Sequence, residues 1–441
     1  MWKMIVGLGL GLGLLMLPAG AQMASPPPAP AGADAAILAT VRNLRAIDDH
    51  AHPPALSVNG VADTDYDALP CPPEDPIPPT LASRADNPIF QQAWRALYGA
   101  STAQAELAAK ALVKQQQELN YPNWVLDKLG IETELANRVA MGPGLAPPRF
   151  RWVAFDDALL LPLATSALAV NPDRTFFFGR EAGILRRYYS GLRLGGRPAT
   201  LDDYLRQVVV PTIERQKAAG AVAIKFEAAY LRPLNFRNPD LATARAVYAA
   251  GGAPAAARYY PLQDAIFHAI ALEAGRLGLA VHFHTGFGCG SYFDITGANP
   301  ALLMDVFNDP TLRHTNFVLL HAGLGPYVNI VAALIAKPNV YTDISGQTWL
   351  LPPAEIARVV RTLLEYYPDK VMFGTDLSPG AGAEDWEEIG YQMENAARDG
   401  LALALSGMLR DGEVTRPQAL AIARNVLRGT ALRLYPELGG R

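Results

Sequence analysis

Four of the seven histidines in this chain stand where short apolar runs give way to polar residues, and a fifth lies two residues before such a point. His50 and His52 form His-Ala-His at the end of RAIDDH, and residues two apart on a strand point to the same side, so both imidazoles can reach one metal. His282 and His284 stand two apart in LAVHFHTG, His321 closes FVLLHAG, and Asp376 closes VMFGTD. Each fragment alone is weak, because a lone His-x-His is common and a buried histidine often only satisfies a core. Order, spacing and strand position agree, however, and several nitrogen and carboxylate ligands around one cavity are what a catalytic zinc site requires. The expected metal set is His50, His52, His284, His321 and Asp376, holding one or two divalent ions, with zinc the first choice. Asp376 would hold a water, take its proton and pass it on, and His321 would bind the carbonyl oxygen under attack or a second metal. His282 reads as a support for the site, and His268 and His314 as structural.

These groups need a scaffold that gathers strand ends. Eight runs do so: 45–50, 137–141, 150–155, 221–228, 279–286, 317–323, 340–346 and 371–376. Helical patterns at 122–136, 201–219, 262–277, 326–336, 353–366 and 384–398 separate them. Alternating strand and helix over about 400 residues predicts an α/β fold, a (β/α)8 TIM barrel with a long lid insertion after strand 1. A doubly wound sheet is the alternative, but no Gly-x-Gly-x-x-Gly follows the first strand. The lid spans 53–120, opening as a Pro-rich loop and becoming a helix near 102–118. Further insertions span 159–199 and 231–258, all on the rim where a barrel carries its chemistry. There is no internal repeat and no separate second domain.

Composition narrows the class. With 441 residues, 18% charged, 50% hydrophobic and a net charge of −4, the chain is a globular enzyme-sized protein without a basic footprint for nucleic acid. Residues 1–21 carry one lysine, a short apolar run and a small-x-small site, the build of a signal peptide, so a secreted or periplasmic protein is expected. Residues 22–36 read as a flexible Pro/Ala-rich linker before the barrel at 37–441. The expected partner is a small-molecule substrate, with no nucleic acid, no membrane after cleavage, and room for a homodimer. Tyr230 and Arg232, in the loop after strand 4, are candidates to bind an anionic part of the substrate, while Arg237 reads as surface charge. Asp343 and Ser345 either line the pocket or cap the helix after strand 7. Cys71 and Cys289 lie in loops after strands 1 and 5, opposite each other in a barrel, so two separate thiols are expected; only a lid folded across the mouth would join them.

The strand-end signatures HFHTGFG, LLHAGLGPY, VYTDISG and MFGTD, with the tail RNVLRGTALRLYPEL, resemble the amidohydrolase superfamily and more closely its amidohydrolase-2 branch. The resemblance covers about 45–437, outside the insertion at 53–120. It implies that His50, His52, His284, His321 and Asp376 occupy metal-ligand or metal-adjacent positions. Lys225, one of only eight lysines, sits in AVAIKFEAAY at the end of strand 4. Its plain reading is an ion pair with Glu227 on the same face. The resemblance implies another, a carboxylated lysine bridging two metals. The function expected is an exported metal-dependent hydrolase attacking an amide, lactone or related acyl carbonyl of a small anionic substrate. A metal-dependent decarboxylase or C–C lyase and a non-catalytic binding protein are the alternatives.

Overall fold

The computed structural model describes residues 22–57, 63–72, 84, 86–379 and 386–439, so the expected leader at 1–21 lies outside the described residues. Eight parallel strands stand in chain order: Ala46–Ala51 (β1), Ile131–Arg138 (β2), Phe150–Phe155 (β3), Ala221–Phe226 (β4), Ala280–Phe283 (β5), Phe317–Leu319 (β6), Val340–Asp343 (β7) and Val371–Met372 (β8). The chain around β8 returns to β1: Asp49 N donates to Phe373 O (3.0 Å), Asp376 N to His50 O (2.7 Å) and His52 N to Leu377 O (2.6 Å). Those bonds close the sheet into a (β/α)8 barrel, which removes its edges.

Two apolar layers follow from the period-2 alternation of the strands. One set, including Val281, Phe283, Phe317, Leu319 and Val340, packs against the surrounding helices, among them Phe267 and Ile270 of helix Ala256–Leu277 and Val360 and Leu363 of helix Pro353–Tyr366. The other fills the interior with Ile47, Leu135, Val153, Val222, Ala280, Val318 and Met372, and the C-terminal residues Ala431, Leu434 and Tyr435 join it. His282 belongs to that interior: its Nε2 meets the Tyr435 hydroxyl at 2.7 Å, as expected of a supporting residue.

The second strand departs from the sequence expectation. The reading of 122–136 as helix and 137–141 as strand is replaced by a helix over Tyr121–Leu129 and a strand over Ile131–Arg138. Gly130, at φ +70°, ends the helix in the left-handed region that glycine tolerates. The strand Ile-Glu-Thr-Glu-Leu was obscured by its glutamates; Glu132 reaches out to Arg428 (2.7 Å), whereas Glu134 is buried.

In the lid, helices Pro88–Tyr98 and Ala103–Gln117 come down on the long helix Trp386–Arg410, where Lys110 pairs with Glu388 at 2.7 Å. The linker segment lies along the barrel, with Ala24 N donating to Lys128 O (2.9 Å) and Tyr391 Oη to Ser25 O (2.6 Å). No helix among the described residues is long and apolar enough to cross a membrane.

Candidate metal centre

The C-terminal strand ends bring the predicted imidazoles together. His50 and His52 leave β1 with their Nε2 atoms 3.4 Å apart, and His50 Nε2 lies 3.1 Å from Asp376 Oδ1. Asp376 is held in place by the strand it faces. Asp48 accepts from the Thr375 backbone (3.0 Å) and hydroxyl (2.6 Å), and Asp376 itself takes a left-handed φ of +64°. Gly374 is needed beside it, because a Cβ there would stand 2.5 Å from Asp343 Oδ2.

His321 and Ala322 are both left-handed, at φ +67° and +49°, a strained pair for residues with side chains. Their surroundings hold them so: His321 N donates to Asp343 Oδ1 (2.7 Å) and Gln347 Nε2 donates to His321 O (2.7 Å). Asp343 and Ser345, which the sequence left between pocket and cap, thus build the His321 turn.

The hydrogen bonds also assign tautomers. Ser345 Oγ gives its single proton to Asp343 Oδ1 (2.9 Å), so toward His321 Nδ1 (2.9 Å) it can only accept, and Nδ1 carries the proton. His284 Nε2 faces the Phe287 carbonyl at 3.0 Å and must donate. His321 Nε2 and His284 Nδ1 therefore turn two lone pairs on each other at 3.1 Å. Burial, reinforced by the Lys225 charge, pushes His284 down to about 3; burial and the neighbouring His284 hold His321 well below the usual imidazole range. Two neutral imidazoles meeting lone pair to lone pair repel unless a cation lies with them, so these residues fit a divalent metal.

His50, His321 and Asp376 form one group of converging ligand atoms, with His284 beside it, and His52, Asp67 and Glu227 form a second. Asp67, from the lid, is the residue that sequence reasoning missed; the acid-rich Asp-Thr-Asp-Tyr-Asp stretch at 63–67 was the only signal. Lys225 Nζ stands 3.3 Å from His50 Nε2 and 3.7 Å from Glu227 Oε1, so both its ion pair and its place beside the candidate ligand His50 are seen. Tyr230 forms a wall, its ring 4.8 Å from that of His284 and 4.9 Å from that of Phe293.

Two expectations are corrected. Arg232 is not free for a substrate: it is buried, paired with Asp264 at 2.9 Å and stacked on Phe236 and Tyr260, each at 4.3 Å. Cys71 and Cys289 are bonded rather than separate, with Cα atoms 5.6 Å apart, because the lid folds across the mouth and carries Cys71 to the loop after β5. Arg237 is the surface residue expected, paired with Asp305 at 3.0 Å, and His268 pairs with Asp309 at 2.9 Å.

A barrel with these strand-end ligands is the architecture of metal-dependent amidohydrolases. Residues 197–436 match the family described as amidohydrolase, and the chain belongs to that family. Among solved structures, it resembles a protein assigned as a metal-dependent hydrolase from Lactobacillus casei ATCC 334 (16% identity, TM-score 0.55, covering 91% of this chain and 97% of that one). It also resembles the glucuronate isomerase of Caulobacter crescentus (14%, TM-score 0.53, 92% and 94%) and the uronate isomerase of Thermotoga maritima (14%, TM-score 0.53, 80% and 79%). At these identities the likeness is one of fold. No curated protein matches the sequence.

Proposed function

We propose that this chain is an exported metal-dependent hydrolase that directs water at the carbonyl carbon of an amide, lactone or related acyl bond. The observation that carries this reading is the facing pair His284 Nδ1 and His321 Nε2 beside Asp376, a ligand set that is complete only with a cation. Imidazole nitrogens with a carboxylate suit zinc. A bound ion supplies acidified water and a polarised carbonyl oxygen.

The protein supplies the rest. Asp376 is a ligand that solvent can still reach, its side chain 27% exposed while His50 is fully buried. It is placed to take a proton from water and pass it to the leaving group. Trp349 Nε1 donates to the Asp376 backbone carbonyl (3.1 Å), which fixes the turn that carries the carboxylate. Ser345 keeps His321 in the tautomer that presents Nε2. Tyr230 borders the substrate space. Lys225, beside His50, would as a carbamate, formed when its amine adds carbon dioxide and loses a proton, offer a further anionic oxygen to a metal held at the strand ends. Export is supported by the leader-like residues 1–21 and by the Cys71–Cys289 bond, which suits an oxidising compartment.

Metal analysis followed by a screen of amides, lactones and esters tests the reading. Bound zinc with turnover of at least one acyl class is the expected result. Release of carbon dioxide from aromatic acids without acyl hydrolysis would replace it with a lyase, and absence of retained metal would leave a binding protein. For Lys225, Lys225→Ala is expected to lower metal content and rate together; unchanged values would make it a structural ion-pair residue.

A further inference from the structure

We propose that the loop after β5 is a subsite for an uncharged, apolar acyl group, so that the substrate lays its aryl or alkyl part against Phe287, Tyr292 and Phe293. The inference rests on the acyl hydrolysis proposed above and names its substrate class. Phe287 and Tyr292 are 39% and 56% exposed, and Ile295 on the same loop is 36% exposed. Large apolar side chains grouped in solvent on one short loop mark a binding surface.

The loop is fixed, and its exposed rings are presented on a rigid support. Gly286 N donates to Ala298 O (3.1 Å), Phe287 N to Leu324 O (3.0 Å) and Tyr292 N to Asp173 Oδ2 (2.8 Å). Tyr327 Oη donates to Ile295 O (3.0 Å), and Cys289 is bonded to Cys71 of the lid. The sequence Gly-Phe-Gly-Cys-Gly permits this packing. A Cβ at Gly286 would stand 2.3 Å from Leu324 O, one at Gly288 2.5 Å from the Phe293 ring, and one at Gly290 2.4 Å from Asp173 Oδ2. A ligand that meets such a surface has little left to order on binding.

The subsite adjoins the candidate metal centre. Phe287 O accepts from His284 Nε2 at 3.0 Å, and the Phe293 ring lies 6.0 Å from that of His284 and 4.9 Å from that of Tyr230. Tyr230 in turn meets Phe177 edge-on at 5.4 Å. An acyl carbonyl held at the strand ends therefore has this aromatic wall beside it.

Charge decides against an anionic group. Asp294 is the one charged residue from Phe287 to Ile295, and its Thr296 hydrogen bond and the nearby Arg174 hold its carboxyl below the usual range. Arginines of the surrounding loops are paired within the protein: Arg138 with Asp63 (2.9 Å), Arg187 with Asp65 (2.9 Å), Arg232 with Asp264 (2.9 Å) and Arg237 with Asp305 (3.0 Å). Arg180 donates to the carbonyls of Asp67 (2.8 Å) and Ala68 (2.7 Å). A carboxylate laid on this loop would give up its water and meet no compensating cation, whereas an aryl or alkyl group is favoured by leaving water.

The test is calorimetric titration of the full mature protein, its bound metal counted, with three probes that share one metal-binding head: benzohydroxamate, acetohydroxamate and succinomonohydroxamate. The expected result is benzohydroxamate binding about tenfold tighter than acetohydroxamate or better, with succinomonohydroxamate no tighter than acetohydroxamate. In Phe287→Ala, which keeps the backbone carbonyl facing His284, and in Tyr292→Ala, the benzo-to-aceto affinity ratio should fall. Equal binding of those two probes, tightest binding by succinomonohydroxamate, or an unchanged ratio in both variants would overturn the subsite while leaving the hydrolase reading standing. The metal count separates the other failure: a protein that retains no metal sinks the hydrolase reading, and the subsite with it. Should a variant fail to fold, the wild-type series decides alone.

Discussion

The two ends of the barrel bury charge in opposite ways. At the N-terminal end, the guanidinium of fully buried Arg398 donates to Glu394 and to the carbonyls of Val41, Leu44 (2.7 Å) and Gly130 (3.2 Å), while Arg42 makes a bidentate pair with Asp399. Donors and acceptors are matched in this Arg398–Arg42 cluster, and its ionic groups hold elements together. At the C-terminal end, imidazoles face imidazoles, and buried carboxylate oxygens such as Asp343 Oδ2 and Asp157 Oδ1 stand without donors. Equal burial with unequal satisfaction separates a structural cluster from a site prepared for something that binds. Buried polar groups are ordinarily paired, so the unmatched end is the informative one.

Substitutions at the two ends should therefore divide activity from stability. His50→Ala is expected to remove the strand-end ion and lower turnover by roughly three orders of magnitude, with the barrel still folded by circular dichroism. Full metal occupancy and rate in that variant would erase the contrast. Arg398→Ala should do the reverse, leaving metal content alone while costing about 3–5 kcal/mol in denaturant unfolding, since Glu394 and the carbonyls of Val41 and Leu44 lose the guanidinium donor. A smaller effect is expected at Ser345→Ala, which frees the His321 tautomer and should lower metal affinity about 10–100-fold, read by competition with a chelator.

The smallest effect is one of pH. Burial raises Asp343 to about 6 and Asp48 and Asp157 to about 7, so these acids bind protons in the folded state that the unfolded chain gives up near 4. Their stabilising contribution is complete below about 4 and is lost as pH rises through 6 to 7. The buried imidazoles, held below their ordinary range, act in the opposite sense below about 6.5, so the acids are isolated by substitution: between pH 5 and pH 8 the metal-stripped Asp157→Asn variant should lose less melting temperature, or gain more, than the metal-stripped wild type. An identical pH dependence in the two proteins would show that Asp157 is already ionised and matched.

Much of the strand-end chemistry was legible because a barrel places strand termini in one ring. FRWVAF is β3 residue for residue, and the motifs ending in His321 and Asp376 sit at the ends predicted for them. What stayed hidden depends on the third dimension. Glu134 makes β2 look helical until it is seen inside a barrel. Asp67 carries no periodic signal, because a Pro-rich lid has none, and its meaning comes only from where the lid lands. Arg232 looked available because sequence does not reveal that Asp264, Phe236 and Tyr260 surround it.

The Cys71–Cys289 bond, with its 218-residue separation, also changes what kind of object the chain is. It turns β2, β3, β4 and β5 into a closed covalent ring, with β1 before it and β6, β7 and β8 trailing from it as open arms. A ring that size withdraws about 5 kcal/mol of entropy from the denatured chain on the chain-entropy account. Its denatured state is a knot-free lasso and not a free string, and the arms that must find each other to close the barrel, β1 and β8, are both outside the loop. Reduction would thus lengthen the search by which the ring's own strands reassemble, while the β1–β8 seam, the place where His50 meets Asp376, closes between the two free arms in either redox state.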